Sequence, residues 1–150
     1  MKGTVIGAGN VGATCANYIA QKDIVKEVVL LDVKEGIAEG KALDMWQTSP
    51  IQKYDTFIKG VTNDYAATKD SEVVVITSGL PRKPGMSRDD LIATNAKIVK
   101  EVTESAFQYS PHANIIVVSN PLGVLCYCAY LTAKIPSSRV FGMAGILDTA

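Results

Sequence analysis

The stretch Thr4-Val5-Ile6-Gly7-Ala8-Gly9-Asn10-Val11-Gly12 decides the fold. A short apolar run stops at a glycine cluster, and a helical pattern begins at once. The spacing is G-x-G-x-x-G between a strand, Lys2–Ile6, and a helix. Gly7 permits a tight turn, Gly9 lets the backbone come close to a pyrophosphate, and Gly12 lets the helix pack on the strand. An anion held there meets unpaired N–H groups at the positive end of the helix dipole, so Ala8, Asn10 and Val11 belong to the same candidate site.

Two neighbouring features strengthen the motif. Val11, Cys15 and Ile19 recur at helical spacing and are expected to form the apolar stripe of that helix. Some 20 residues on, Glu27-Val28-Val29-Leu30-Leu31-Asp32 is an apolar strand that ends in an acid, as dinucleotide binding requires. A carboxylate at position 32 accepts hydrogen bonds from the adenosine ribose and repels a 2′-phosphate. No arginine follows within Val33-Lys34-Glu35, so NAD is favoured over NADP. A nucleotide-binding P-loop is excluded. Ala13 stands where its lysine must be, and the stretch from Gly36 to Lys41 is one residue too short and is followed by Ala42.

Outward from this turn, strand and helix patterns alternate. Residues 36–47 read as a helix whose Trp46 is expected in the core, with a subunit contact as the alternative. Residues 56–59 read as a short third strand. Residues 71–77 form a β-branched run of the kind buried on both faces of a parallel sheet. Residues 78–90 break the pattern with two prolines and two glycines. Arg82 and Arg88 fall in this segment, and two guanidiniums suit a substrate with more than one anionic group. A long helix follows, with Leu91, Asn95, Ile98, Val102, Ala106 and Tyr109 on one stripe and a capping box at Ser87 and Asp90. Residues 114–118 read as a fifth strand ending at Ser119-Asn120-Pro121. The helix over 122–133 is apolar nearly all round and is expected to be deeply buried or at an interface. Residues 139–142 read as a sixth strand. Six strands with intervening helices imply an α/β fold. It is an open, doubly wound parallel sheet of Rossmann type in the order 3-2-1-4-5-6, with all of 1–150 in one domain.

The switch point of such a sheet lies between the first and fourth strands, and ligands bind outside the carboxyl ends there. The glycine turn, the arginine segment, Asn95 and Asn120 all gather at that end. His112, the single histidine, precedes the fifth strand and so falls at the opposite end, as a surface residue. A formal net charge of zero and the absence of a basic cluster argue against nucleic-acid or anionic-membrane partners. No apolar run reaches transmembrane length and no signal peptide is read. Three cysteines without a framework or zinc spacing suggest reduced thiols in a cytoplasmic protein, and no metal site is expected.

Taken together, the glycine turn, Leu31-Asp32, Gly79-Leu80-Pro81-Arg82-Lys83-Pro84-Gly85-Met86-Ser87-Arg88, Val118-Ser119-Asn120-Pro121 and Leu147-Asp148 resemble the NAD-binding half of a malate dehydrogenase of the type similar to lactate dehydrogenase. The resemblance implies reversible hydride transfer between malate and NAD to give oxaloacetate and NADH, as in the tricarboxylic acid cycle. It implies that residues 7–12 and Asp32 hold the pyrophosphate and ribose, and that Gly79, Asn95, Val118, Ser119 and Asn120 line the nicotinamide side. Arg82 would bind the distal carboxylate of a dicarboxylate, a position usually neutral in lactate enzymes. Arg88 would polarise the substrate carbonyl, Asn120 would hydrogen-bond near the substrate, and Asp148 would orient a catalytic histidine. That histidine, a further substrate-binding arginine and the substrate domain are expected beyond Ala150. The chain is therefore expected to be a cofactor-binding half without turnover of its own, and the complete enzyme a homodimer or homotetramer.

Overall fold

The computed structural model of the chain describes residues 1–81 and 84–149, with Leu147 and Asp148 described by their backbone. Arg82 and Lys83 lie outside the described residues, as does Ala150. Six strands form one sheet: β1 (Lys2–Ile6), β2 (Glu27–Asp32), β3 (Phe57–Thr62), β4 (Val73–Ile76), β5 (Asn114–Val117) and β6 (Val140–Gly142). All pairs are parallel and the order is β3-β2-β1-β4-β5-β6, as the alternation of elements implied. Among the described residues, the helices between strands are α1 (Asn10–Gln21), α2 (Ile37–Gln47), α3 (Ser49–Gln52), α4 (Arg88–Tyr109) and α5 (Leu122–Ala133), and α6 (Gly145–Asp148) follows β6. Short 3-10 turns stand at Tyr65–Thr68 and Ser137–Arg139.

The sheet is covered on both faces, and the two-residue period of its strands sorts the core accordingly. Val5, Val28, Leu30 and Val75 face α1 and α2. Ile6, Val29, Leu31, Val74, Ile76, Ile115 and Val117 face α4 and α5. Val28, Val29, Leu30 and Leu31 are fully buried, each contributing roughly 1.5–3 kcal/mol of transfer free energy.

Several expectations are corrected. The buried positions of α1 are Gly12, Ala16 and Ala20; of the stripe read in the sequence, Cys15 and Ile19 pack against the core from its flank, but Val11 is exposed. Small side chains let the helix sit close to β1, and this closeness outweighs the hydrophobicity of Val11. Strand β3 runs on to Thr62, through Gly60. A glycine looks like the end of a strand, but a Cβ at position 60 would overlap the Ala38 carbonyl, so Gly60 is where α2 crosses the sheet. Trp46 is 45% exposed and packs edge-on against Phe57 at the sheet margin, not in the core. Helix α5 buries Leu125 and Ala129 but leaves Val124, Tyr127 and Leu131 exposed, so it is not deeply buried. Arg88 is the first residue of α4 and not part of a loop, because the Ser87–Asp90 capping box starts the helix there.

A candidate dinucleotide site at the switch point

The glycine turn is locked by its own backbone. Gly7 has a φ of 105°, which L side chains rarely adopt, and its N–H donates to the Leu31 carbonyl at 2.7 Å. A Cβ at Gly12 would overlap the Gly7 carbonyl oxygen. By contrast, a Cβ at Gly9 would meet nothing within 4 Å. Gly9 is the residue that precedes α1, and the space beside it lies where the unpaired N–H groups of the first helical turn emerge. This is a cradle of the shape and polarity a pyrophosphate needs.

Asp32 closes one side of the turn. Its Oδ2 accepts the Ala8 N–H at 2.6 Å and its Oδ1 accepts the Lys34 N–H at 2.9 Å. The carboxylate is half-buried and opens on a cleft of about 610 Å³. Gly7, Gly9, Asp32 and Gly79 line this cleft together with Asn63, Tyr65, Thr77, Ser78, Leu80 and Glu101. The cleft therefore runs from the end of β2 across β1 to the end of β4, which is the switch point. Its size suits a dinucleotide, and its lining mixes backbone, hydroxyl and apolar surface as such a ligand requires. Burial, and then the negative charges of Glu101 and Asp32, push the Tyr65 hydroxyl above its ordinary pKa, so it remains a neutral donor at the Asp32 end.

Hydroxyls knit the strand ends. Thr77 Oγ1 donates to the carbonyls of Ile6 and Gly7 at 3.1 and 3.0 Å. Ser78 Oγ donates to Ile6 O at 2.9 Å, and the buried Ser119 Oγ donates to Ser78 O at 2.6 Å. Asn95, 2% exposed, uses its whole amide on backbone. Its Oδ1 accepts the Leu80 N–H at 2.8 Å, and its Nδ2 donates to Leu80 O at 3.2 Å and to Asn120 O at 3.0 Å. It joins α4 to the segments after β4 and after β5. Among the residues singled out in the sequence, Ala8 is buried and acts through its backbone, while Asn10 and Val11 lie exposed on the first turn of α1. Val118 is half-buried, and its N–H donates to Ile76 O at 2.9 Å. Asn120 and Arg88 are exposed at the same end of the sheet. The role of Arg82 falls outside the described residues. Asp148 ends α6, a four-residue helix. His112 is exposed in the turn before β5, at the far end.

Thr77, Ser78, Asn63 and Tyr65 were not singled out in the sequence. Thr77 and Ser78 directly follow the buried run of β4, so their position after a switch-point strand was the signal that could have found them. The sequence also gave no role to Lys41, whose ammonium donates to Ala8 O at 2.7 Å. Among the described residues there is no cluster of His, Cys, Asp or Glu that could hold a metal, and no helix is long and apolar enough to cross a membrane.

Comparison with known proteins agrees with this geometry. Residues 1–142 match the family model described as lactate/malate dehydrogenase, NAD binding domain. The chain is 69% identical over 150 residues to a malate dehydrogenase from Cytophaga hutchinsonii, covering all of this chain and 48% of that protein. The structure of malate dehydrogenase from Salinibacter ruber superposes with a TM-score of 0.92 at 54% identity, over 99% of this chain and 46% of that one. The lactate dehydrogenase from Cryptosporidium parvum, complexed with lactic acid and nicotinamide adenine dinucleotide, superposes at 0.91 with 36% identity, over 98% of this chain and 46% of that one. The chain spans about half the length of the curated relatives it matches. It belongs to the lactate/malate dehydrogenase family, as the NAD-binding domain of that family.

Proposed function

We propose that the chain is the cofactor-binding half of an NAD-dependent malate dehydrogenase. The continuous cleft from Asp32 to Gly79 and Leu80 carries this reading, because it joins a ribose acceptor, a pyrophosphate cradle and the segment bearing the arginines. When bound, the nicotinamide supplies hydride acceptance and donation. The chain's own residues bind and orient. Asp32 accepts from the ribose hydroxyls and disfavours a 2′-phosphate, and the first turn of α1 takes the pyrophosphate. Arg82 is the proposed partner of the distal carboxylate, which gives the preference for a dicarboxylate over lactate. Arg88, on the first turn of α4, stabilises negative charge on the substrate oxygen, and Asn120 hydrogen-bonds beside it. Asp148 is the proposed orienting partner of a histidine supplied by the rest of the enzyme. Malate dehydrogenase relatives and Arg82 together favour malate and oxaloacetate as the substrate pair. The three free thiols support a cytoplasmic location, and the exposed apolar face of α5 supports a homo-oligomeric enzyme.

Titration with NADH, followed by energy transfer from Trp46 with NADPH as control, tests the cofactor assignment. Saturable binding of NADH and much weaker binding of NADPH are expected, and no binding of either defeats it. Single-turnover oxidation of NADH by oxaloacetate is expected only when the other half is supplied. Turnover by the 150 residues alone would overturn the division of roles. A full-length Arg82→Gln enzyme is expected to lose oxaloacetate use far more than pyruvate use, and equal losses would remove the dicarboxylate assignment.

A further inference from the structure

We infer that Lys41 is a cofactor-positioning residue, which sets the pyrophosphate cradle from outside the glycine motif. This rests on the NAD-binding reading and extends it to an element that the fingerprint does not include. Lys41 projects from α2, and its Nζ donates to the Ala8 carbonyl at 2.7 Å. The N–H of the same residue, Ala8, donates to Asp32 at 2.6 Å. The middle of the turn is thus gripped on its N–H side by an acid from β2 and on its carbonyl side by a base from α2.

The Ala8 carbonyl shares a peptide plane with the Gly9 N–H. That peptide is trans, so the two groups point in opposite directions. Holding the carbonyl toward Lys41 turns the Gly9 N–H away from α2. Gly9 in turn caps α1 and stands against open space. Ala8 is completely buried, so its carbonyl has no water to fall back on. Lys41 is half-buried and its bond to Ala8 lies one peptide bond from the cradle, where a dianionic pyrophosphate gains from a nearby cation that solvent screens only in part. Lys41 therefore has two effects on one ligand group: it fixes the backbone donors and adds a positive charge. A lysine beside a phosphate turn is what a P-loop achieves in one contiguous segment. Here the lysine comes from a different element, across 33 residues of sequence.

Titration of the 150-residue chain, of Lys41→Met and of Lys41→Arg with NADH and with adenosine tests this. Lys41→Met is expected to weaken NADH about ten-fold and to leave adenosine, which lacks the pyrophosphate, unchanged. It is also expected to flatten the salt dependence of NADH binding. Lys41→Arg, which keeps a charged donor, is expected to restore both. Lys41→Gln, an uncharged donor, is read by the same criteria where the methionine variant does not fold. Unchanged NADH affinity in the folded variant overturns the inference, and so does an equal loss on NADH and adenosine, which would mark a purely structural contact. Failure of the unsubstituted chain to bind NADH would instead overturn the NAD-binding reading, and this inference with it.

Discussion

Two segments reach the same cleft, and the described contacts that hold them differ in kind. The turn after β1, residues 7–12, is fixed along its length. Gly7 N–H is bound by Leu31, Ala8 by Asp32 and Lys41, and the Gly7 carbonyl by Thr77, while Gly12 is pressed against Gly7. The segment after β4 has side-chain anchors at Leu80 and at Ser87. Asn95 holds Leu80 at one end and the Ser87–Asp90 capping box holds the other, while Pro81, Pro84 and Gly85 between them are exposed. A cofactor that stays through the reaction suits a preformed backbone cradle. Exposed positions between two fixed points suit the approach of a substrate that must enter and leave.

This contrast can be broken or sharpened by substitution. The largest effect is expected from Gly12→Ala, where the new methyl meets a carbonyl that cannot move without dismantling the turn. A loss of about 3 kcal/mol is expected, read as a lower urea midpoint. Asn95→Ala should come next, at about 2 kcal/mol, because it leaves the Leu80 N–H and Asn120 carbonyl without their partner. Its readout is again urea unfolding, and an unchanged midpoint would show that Asn95 does not anchor the segment. Gly9→Ala reverses the pattern of Gly12. Stability should change by less than about 0.5 kcal/mol, but NADH affinity should fall, because the methyl fills space meant for the pyrophosphate. Equal stability losses at positions 9 and 12 would erase the distinction between packing glycine and ligand glycine.

The smallest expected effect is at the capping box. The Ser87 hydroxyl, and after it the Ser87 N–H, hold the Asp90 carboxyl below its ordinary value. A lowered folded pKa means that the capping contribution is fully present above the unfolded value, near 3.9, and is lost as pH falls through the lower folded value. Amide chemical shifts of Ser87 and Asp90 should therefore stay constant down to about pH 4 and move below it. Movement near neutral pH would contradict the capping box.

Much of this was legible in the sequence. The strand order follows from alternation and handedness, and the turn and Asp32 follow from glycine spacing and an acid at a strand end. The capping box was also visible, since it is local. What escaped was decided by contacts between distant segments. Val11 looks like a core residue until the need for α1 to lie close to β1 selects Gly12, Ala16 and Ala20. Trp46 looks like core until the sheet is seen to end beside it. Lys41 looks like any helix lysine, and only the crossing of α2 past the turn brings it to Ala8. Asn95 could be seen as an oddity in an apolar stripe, but the two backbones it joins could not.

The place of β1 in the sheet also bears on how the chain comes to be folded. Gly3 pairs with Val28 on one side and with Val73 on the other. Of the two central strands, β1 and β4, β1 is made well before its partner, and its second edge stays open until β4 has been synthesised. Closing so long a loop is entropically costly, and parallel pairing between distant segments folds slowly. During synthesis the β1–α1–β2 unit would emerge with a bare, β-branched edge that invites pairing with other chains. The geometry that builds the switch point thus also defines the interval in which a nascent chain is most exposed to aggregation.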